Sequence, residues 1–126
     1  MDAERLLDAA RAELGNCYCP YSGFRVAAVL EDSEGVLHTG VNVENASYGL
    51  TICAERVALF KAVSGGKRSF SGLLVYSPDG DPVPCGACRQ VLAEFCQGDM
   101  PVAVATDGSI RYFTVEGLIP ETFRLR

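Results

Sequence analysis

Apolar residues recur along the chain with two spacings, one typical of helices and the other of strands. Near the start they return every three or four residues, which predicts an amphipathic helix over residues 2–15, capped by Asp2 and ended by Gly15. Segments 53–63 and 85–96 are predicted to form two further helices. Short apolar and β-branched runs predict five strands, over residues 24–30, 36–43, 70–77, 101–106 and 109–113.

Polar segments that contain glycine separate these elements and supply the turns. Residues 32–35 are typical of a hairpin turn, residues 107–108 are a second turn signal, and residues 114–118 predict a short capped turn. This order of elements predicts an α/β fold, a three-layer α/β/α sandwich with a mixed five-stranded sheet. With 126 residues the chain is predicted to form one domain, residues 1–126.

The formal net charge of -5 at pH 7 bears on the kind of partner that the chain binds. Proteins that bind nucleic acid polymers gain much of their affinity from basic surfaces, so we expect a small-molecule substrate and no nucleic acid. We expect no membrane association, because no apolar run approaches the roughly 18 residues of a spanning helix. The acidic start is unlike a secretory signal peptide, which predicts a cytoplasmic protein with reduced cysteines.

Three of the six cysteines stand in two short motifs that predict a metal site. Residues 53–55 read Cys-Ala-Glu, and residues 85–88 read Cys-Gly-Ala-Cys. Three thiolates without a fourth ligand are typical of catalytic zinc, since structural zinc sites have four protein ligands. We therefore predict Cys53, Cys85 and Cys88 as zinc ligands. A redox pair is the alternative for the second motif alone, but it gives the first motif no role.

Glu55 is predicted to be the catalytic acid and base beside this zinc. Residues two apart do not share a helix face, so Cys53 and Glu55 can share a site only in a helix's first turn. Zinc lowers the pKa of a bound water towards about 7, and a neighbouring carboxylate that transfers protons typically accelerates a reaction by about 10²–10⁴. The alternative is an ordinary first-turn glutamate, favoured by the helix dipole.

Arg56 and Arg89 each directly follow a predicted site residue. Three thiolates around Zn²⁺ leave one net negative charge, which weakens the metal as a Lewis acid. We expect one or both arginines to donate to the ligand sulfurs and so restore its electrophilicity. The alternative is that both are solvated surface residues.

Three segments of the sequence belong together. These are residues 41–46 (Val-Asn-Val-Glu-Asn-Ala), 53–56 (Cys-Ala-Glu-Arg) and 84–90 (Pro-Cys-Gly-Ala-Cys-Arg-Gln). In combination they resemble the cytidine deaminases of the small, homotetrameric, three-cysteine class. The likeness runs from Tyr21 to Pro120. It implies one zinc ion per subunit and hydrolysis of cytidine and deoxycytidine to the uridines and ammonia in pyrimidine salvage. It also implies a homotetramer with active sites at subunit interfaces.

The resemblance implies substrate-binding roles at matching positions. Asn42 and Glu44 are implied to hold the ribose hydroxyls, which an amide and a carboxylate suit chemically. Phe24 is implied to pack on the pyrimidine, and Ala54 to offer backbone groups to the base. The alternatives are a polar pair on an edge strand and a simple core aromatic.

Two aromatic residues, Tyr48 and Phe123, are implied to enter a neighbouring subunit's site. The chain departs from the family at Ala27, where glycine is usual, and the added methyl group can shift backbone packing near Phe24. Two other functions stay open. One is a deaminase of the same fold that acts on another amino-pyrimidine, as blasticidin-type enzymes do. The other is a non-catalytic zinc-binding module, which needs a fourth protein ligand.

Overall fold

The computed structural model describes residues 1–125, and Arg126, which ends the predicted domain, lies outside the described residues. Its helices are α1 (Ala3–Glu13), α2 (Ala54–Ser64), α3 (Gly86–Phe95) and the short α4 (Val115–Leu118). Its strands are β1 (Ala27–Asp32), β2 (Leu37–Val41), β3 (Phe70–Tyr76), β4 (Pro101–Ala105) and β5 (Ile110–Thr114). Short 3₁₀ turns cover Leu14–Asn16 and Tyr48–Leu50. None of the helices formed by residues 1–125 is long and apolar enough to cross a membrane.

The strands form one sheet in the order β2-β1-β3-β4-β5. β3 and β4 run parallel, and every other neighbouring pair runs antiparallel. Parallel strands need a long crossover connection, and here that connection contains α3. The predicted mixed five-stranded sheet is therefore confirmed.

Helices cover both faces of this sheet. Because successive strand residues point to opposite faces, β1 contributes to two separate cores. Ala27 and Val29 pack with Leu6 and Ala10 of α1, whereas Leu30 packs with residues of α2 and α3 on the other face. The predicted three-layer sandwich is confirmed. The methyl group of Ala27 lies on the α1 face.

The first helix begins where the sequence predicted and ends slightly earlier. Asp2 is its N-cap, and the carboxylate accepts a hydrogen bond of 3.2 Å from the Arg5 backbone N–H. The α-helix ends at Glu13 rather than at Gly15, because the chain tightens into a 3₁₀ turn over Leu14–Asn16. Such tightening is common in the last turn of a helix.

The first strand begins at Ala27, so the prediction of a start at residue 24 was wrong. The three preceding backbone N–H groups donate to side chains instead of to a neighbouring strand. Phe24 donates to Ser22 Oγ, Arg25 to Asp79 Oδ2 and Val26 to Asn42 Oδ1. β2 similarly ends at Val41, two residues before the predicted end. The resulting irregular segments form part of the cavity described below.

Asp32, which is 1% exposed, organises the turn between β1 and β2. Its Oδ1 atom accepts from the N–H groups of Glu34 and Val36, and its Oδ2 atom lies 2.9 Å from His38 Nε2. The hydrogen bond from His38 is the main reason that the pKa of Asp32 falls to about 2. Gly35 supplies the left-handed conformation of the turn, with φ of 83°. The only histidine of the chain is therefore engaged in this turn.

Candidate active site

The sulfur atoms of Cys53, Cys85 and Cys88 all lie within 4.8 Å of one another. Cys85 Sγ is 3.9 Å from Cys53 Sγ and 3.6 Å from Cys88 Sγ. Within residues 1–125 these side chains form the one group of three or more histidines, cysteines or carboxylates close enough to share a metal ion. The fold thus brings the two cysteine motifs to one point.

Both motifs lie where a helix begins. Cys53 is the N-cap of α2 and Cys85 is the N-cap of α3, so both side chains stand at the positive end of a helix dipole. Cys88 follows three residues after Cys85 and lies on the same side of the first turn of α3. Helix starts favour the thiolate form of cysteine, which is the form that binds metal.

The donor set fits a zinc ion with one open position. Thiolates are soft ligands that suit zinc, and the cluster found in the described part of the chain has three members rather than four. Cys88 is buried, Cys53 is half-buried and Cys85 is exposed, so the cluster is accessible from one side. A structural zinc site needs a fourth protein ligand, which this group does not contain.

The electrostatic surroundings favour a thiolate at Cys53. The pKa of Cys53 is lowered, chiefly because Cys88 hydrogen-bonds to its sulfur and further because the Arg56 guanidinium lies beside it. The pKa of Cys88 is raised in turn, because that hydrogen bond holds its proton and its sulfur is buried. One sulfur is therefore prepared for deprotonation before any metal ion binds.

Arg56 and Arg89 make different contacts. Arg56 Nη2 lies 3.4 Å from Cys53 Sγ, and its Nε atom is buried without a hydrogen-bond partner among the described residues. Arg89 donates to the carbonyl oxygens of Pro84 and Leu118, at 2.8 and 2.9 Å. Arg56 thus faces a sulfur, whereas Arg89 ties the residue before Cys85 to the end of α4. That either arginine tunes the metal stays a prediction.

Glu55 occupies the first turn of α2 and is 5% exposed. The pKa of its carboxyl group is raised to about 7, chiefly by burial and also by the negative charge that Cys53 can carry. A carboxyl group with this pKa exchanges a proton readily near neutral pH. The geometry therefore places a suitable proton carrier one residue beyond the start of α2, beside the sulfur cluster.

A close contact with β2 fixes the start of α2. A Cβ atom built on Gly40 would lie 2.4 Å from the Ala54 carbonyl oxygen and 2.5 Å from the Ala58 nitrogen. Such distances are too short for any side chain, so glycine alone lets strand and helix approach this closely. The contact sets the position of the turn that carries Cys53 and Glu55.

A cavity of about 320 Å³ opens beside the sulfur cluster, a size typical of small-molecule sites. Its lining combines residues of the sulfur cluster, polar side chains and apolar side chains. It is lined by Ser22, Phe24, Val26, Asn42, Glu44, Thr51, Ile52, Cys53, Ala54, Glu55, Asp81, Pro82, Val83 and Cys85. The predicted residues Phe24, Asn42, Glu44 and Ala54 therefore share one cavity with Glu55 and two of the sulfur atoms.

The polar side chains of the cavity are held in place by the neighbouring backbone. Asn42 Nδ2 donates to the Phe24 carbonyl at 2.7 Å, and Asn42 Oδ1 accepts from the Val26 N–H at 3.0 Å. Glu44 accepts from the Ser22 N–H at 3.1 Å and from the Ser22 hydroxyl. The hydrogen bond from the Ser22 hydroxyl is the main reason that the pKa of Glu44 is lowered, so Glu44 presents an ionised carboxylate.

Tyr48 and Phe123 lie apart from this cavity. Tyr48 is 80% exposed and lines an adjacent depression with Tyr21 and Thr51. Phe123 is 66% exposed, and its carbonyl oxygen accepts from Gln90 Nε2 at 2.9 Å. Their entry into a neighbouring subunit's site stays a prediction.

A family model described as the cytidine and deoxycytidylate deaminase zinc-binding region matches residues 1–104. The chain belongs to this deaminase family. The matched residues include both cysteine motifs and Glu55, so the sulfur cluster lies within the region that defines the family.

Individual deaminases match nearly the whole chain. A cytidine deaminase of Sporosarcina psychrophila is 48% identical over 125 residues, which cover 98% of this chain and 92% of the relative. A probable cytidine deaminase of Dictyostelium discoideum is 49% identical, covering 97% of this chain and 84% of the relative. The crystal structure of cytidine deaminase from Burkholderia pseudomallei superposes with a TM-score of 0.92 at 41% identity, covering 98% of this chain and 100% of that chain.

Some residues of the deaminase cavity were not predicted from the sequence. Ser22 was missed, although it stands two residues before Phe24 in a segment shared with the family. Residues 81–83 were also missed, and their signal is their position directly before the Pro-Cys of the second cysteine motif. Neither sequence position shows that these residues face a ligand. Whether they do depends on how loops that are distant in sequence meet in the fold.

Proposed function

We propose that the chain is a zinc-dependent hydrolase that converts cytidine and water to uridine and ammonia. Membership of the deaminase family and the names of the relatives support this reaction. The observation that carries the proposal is the meeting of the sulfur cluster and the buried Glu55 carboxyl group at one cavity. A cavity of about 320 Å³ suits a nucleoside.

Cys53, Cys85 and Cys88 would hold one zinc ion per subunit, and the metal would supply a Lewis acid that makes water more acidic. Glu55 then takes up the proton that the attacking water loses. It passes this proton to the pyrimidine ring nitrogen, then takes up the second proton of the same oxygen and passes it to the departing amine, which leaves as ammonia. Its raised pKa supports this dual role, since a group with a pKa near 7 both accepts and donates protons.

The polar end of the cavity would bind the sugar. Asn42 and Glu44 are held by backbone contacts, and we assign them to the ribose hydroxyls. Phe24 would pack on the pyrimidine face, and the backbone of Ala54 would meet the edge of the base. We assign deoxycytidine as a second substrate of the same cavity. We also assign the enzyme to pyrimidine salvage in the cytoplasm.

We also assign the active form to a homotetramer of one-domain subunits, each comprising residues 1–126. The exposed aromatic side chains of Tyr48 and Phe123 support this assembly, because each would be covered by entering a neighbouring site. Light scattering on the zinc-loaded protein tests the assembly directly, since a monomeric mass for the active enzyme would contradict it.

The reaction can be tested by following the ultraviolet absorbance of cytidine with purified protein whose zinc content has been measured. We expect loss of the cytidine band with the wild type, and a fall of about 10²–10⁴ in kcat for Glu55→Gln at equal zinc content. Glu4→Gln is the matched control, because Glu4 is an exposed acid in the first turn of α1. Zinc-loaded wild type that leaves cytidine unchanged would refute the proposal. Turnover of blasticidin S instead would favour the related amino-pyrimidine deaminases.

A further inference from the structure

The loop over residues 77–83 joins β3 to the second cysteine motif and forms part of the cavity. Asp81, Pro82 and Val83 line the cavity directly. Two earlier residues of this loop, Asp79 and Gly80, do not line it. They instead contact the segment that carries Phe24.

Asp79 binds that segment through three hydrogen bonds from one residue. Its carboxylate accepts from the backbone N–H, the Nε and the Nη2 of Arg25, each at 2.9 Å. The side-chain hydrogen bonds from Arg25 are the main reason that the pKa of Asp79 falls to about 2, so the carboxylate is charged at neutral pH. Asp79 N–H in turn donates to Ser77 Oγ at 3.0 Å, which fixes the loop at the end of β3.

Gly80 lies directly against the ring of Phe24. A Cβ atom built at Gly80 would be 2.6 Å from Phe24 Cε2 and 3.3 Å from Cζ. The ring therefore rests on the bare backbone of the loop, and any side chain at this position would push it away. The Arg25–Asp79 contact holds the two segments at the separation that this packing needs.

We infer that the Arg25–Asp79 pair and Gly80 are positioning residues, which fix the Phe24 ring as the wall of the nucleoside cavity. This inference rests on the proposed function. None of the three residues lines the cavity, so they act on the substrate through Phe24. Arg25 is 48% exposed, and exposed ion pairs contribute little to stability. We therefore expect the effect of losing the pair in substrate binding rather than in melting temperature.

Three variants perturb the ring in independent ways. Arg25→Met removes two of the three hydrogen bonds, Asp79→Ala removes all three, and Gly80→Ala introduces the steric contact. We expect KM for cytidine to rise about threefold to tenfold, most for Asp79→Ala, with kcat within about twofold of the wild type.

Matched controls exist for both kinds of perturbation. Arg5→Met breaks the Arg5–Glu31 pair, which has the same 2.9 Å separation and the same 48% exposure of the arginine. Gly108→Ala adds a methyl group where a Cβ atom would meet nothing within 4 Å. Both controls are expected to keep the wild-type KM.

A double-mutant comparison separates positioning from a general structural effect. In a Phe24→Leu background there is no ring to misplace, so Arg25→Met and Gly80→Ala should lose most of their effect on KM. An unchanged KM in folded, zinc-loaded single variants would overturn the inference. An undiminished effect in the Phe24→Leu background would also overturn it.

A second measurement reports on the position of the ring without needing turnover. It therefore distinguishes failure of this inference from failure of the proposed function. The chain contains no tryptophan, which makes Phe24→Trp a unique fluorescent reporter. Adding Arg25→Met to this reporter should increase acrylamide quenching by about twofold, since the indole becomes less tightly held against the loop. Adding Arg5→Met should leave quenching unchanged. Equal quenching in the two double variants would overturn the inference whether or not cytidine is a substrate.

Discussion

The contact between β2 and α2 can be tested with a single methyl group. In Gly40→Ala, the added Cβ atom would lie 2.4 Å from the Ala54 carbonyl oxygen, whereas ordinary contact begins near 3.4 Å. Strand and helix must therefore separate by 3.4 − 2.4, or about 1 Å. Both close neighbours are backbone atoms of α2, so no flexible side chain can absorb the change.

The displacement of α2 from β2 is expected to lower the free energy of unfolding. Overpacking of this kind typically costs about 1–3 kcal/mol, which exceeds the gain of about 0.5–1 kcal/mol from replacing glycine in a strand. A net cost of about 0.5–2 kcal/mol remains after that gain is subtracted. At about 4 °C per kcal/mol for a domain of this size, we expect the melting temperature to fall by about 2–8 °C. A shift of about 1 Å in the turn that carries Cys53 and Glu55 is expected to lower turnover by up to about 10²-fold.

Three measurements on the same preparation check this reasoning: melting temperature, zinc content and the rate of cytidine loss. Gly15→Ala is the control, because a Cβ atom there would meet nothing within 4 Å. We expect the control to match the wild type in all three. If Gly40→Ala also matches the wild type in melting temperature and rate, the close contact does not position the active site.

Three further outcomes are expected. Removing zinc with a chelator should lower the melting temperature, and zinc should restore it, because metal-binding energy adds to folding energy; identical melting of both forms would contradict this. Arg56→Gln should raise the pKa of Cys53, so that thiolate absorbance in the zinc-free protein appears at a higher pH than in the wild type. The same substitution should lower kcat about tenfold. Wild-type values of both would show that Arg56 does not influence the sulfur. The Asp32 carboxylate stabilises the fold fully above its ordinary pKa of 3.8, and this contribution is lost as pH falls towards about 2. Unfolding followed between pH 2 and 5 should therefore depend less on pH in Asp32→Asn, and equal dependence would exclude this contribution.

The sulfur cluster and the layers of the fold could be predicted because local patterns encode them. The Cys-x-x-Cys spacing places Cys85 and Cys88 on one turn of α3, and apolar runs mark all five strands. The meeting of Cys53 with that pair depends on the sheet between them. The count of three thiol ligands, which is typical of catalytic zinc, indicated that meeting, and the resemblance to a known family agreed with it; spacing along the chain does not fix it.

The start of β1 could not be predicted for a physical reason. Residues 24–26 have the apolar character of a strand, yet their N–H groups donate to Ser22, Asp79 and Asn42. An apolar pattern reports which side chains are buried, but it does not report which acceptors the backbone will find. The same distant contacts hide the role of the loop over residues 77–83.

The strand order has a consequence for synthesis of the chain on the ribosome. Residues up to Tyr76 complete only β2, β1 and β3, and β3 is buried at all but one of its positions in the finished protein. Until β4 has left the ribosome, one edge of β3 has no partner, and such apolar edges invite association with other chains. Cys85 and Cys88 both emerge before β4 does. The vulnerable interval of the nascent protein therefore ends with the arrival of β4, after the last zinc ligand has been made.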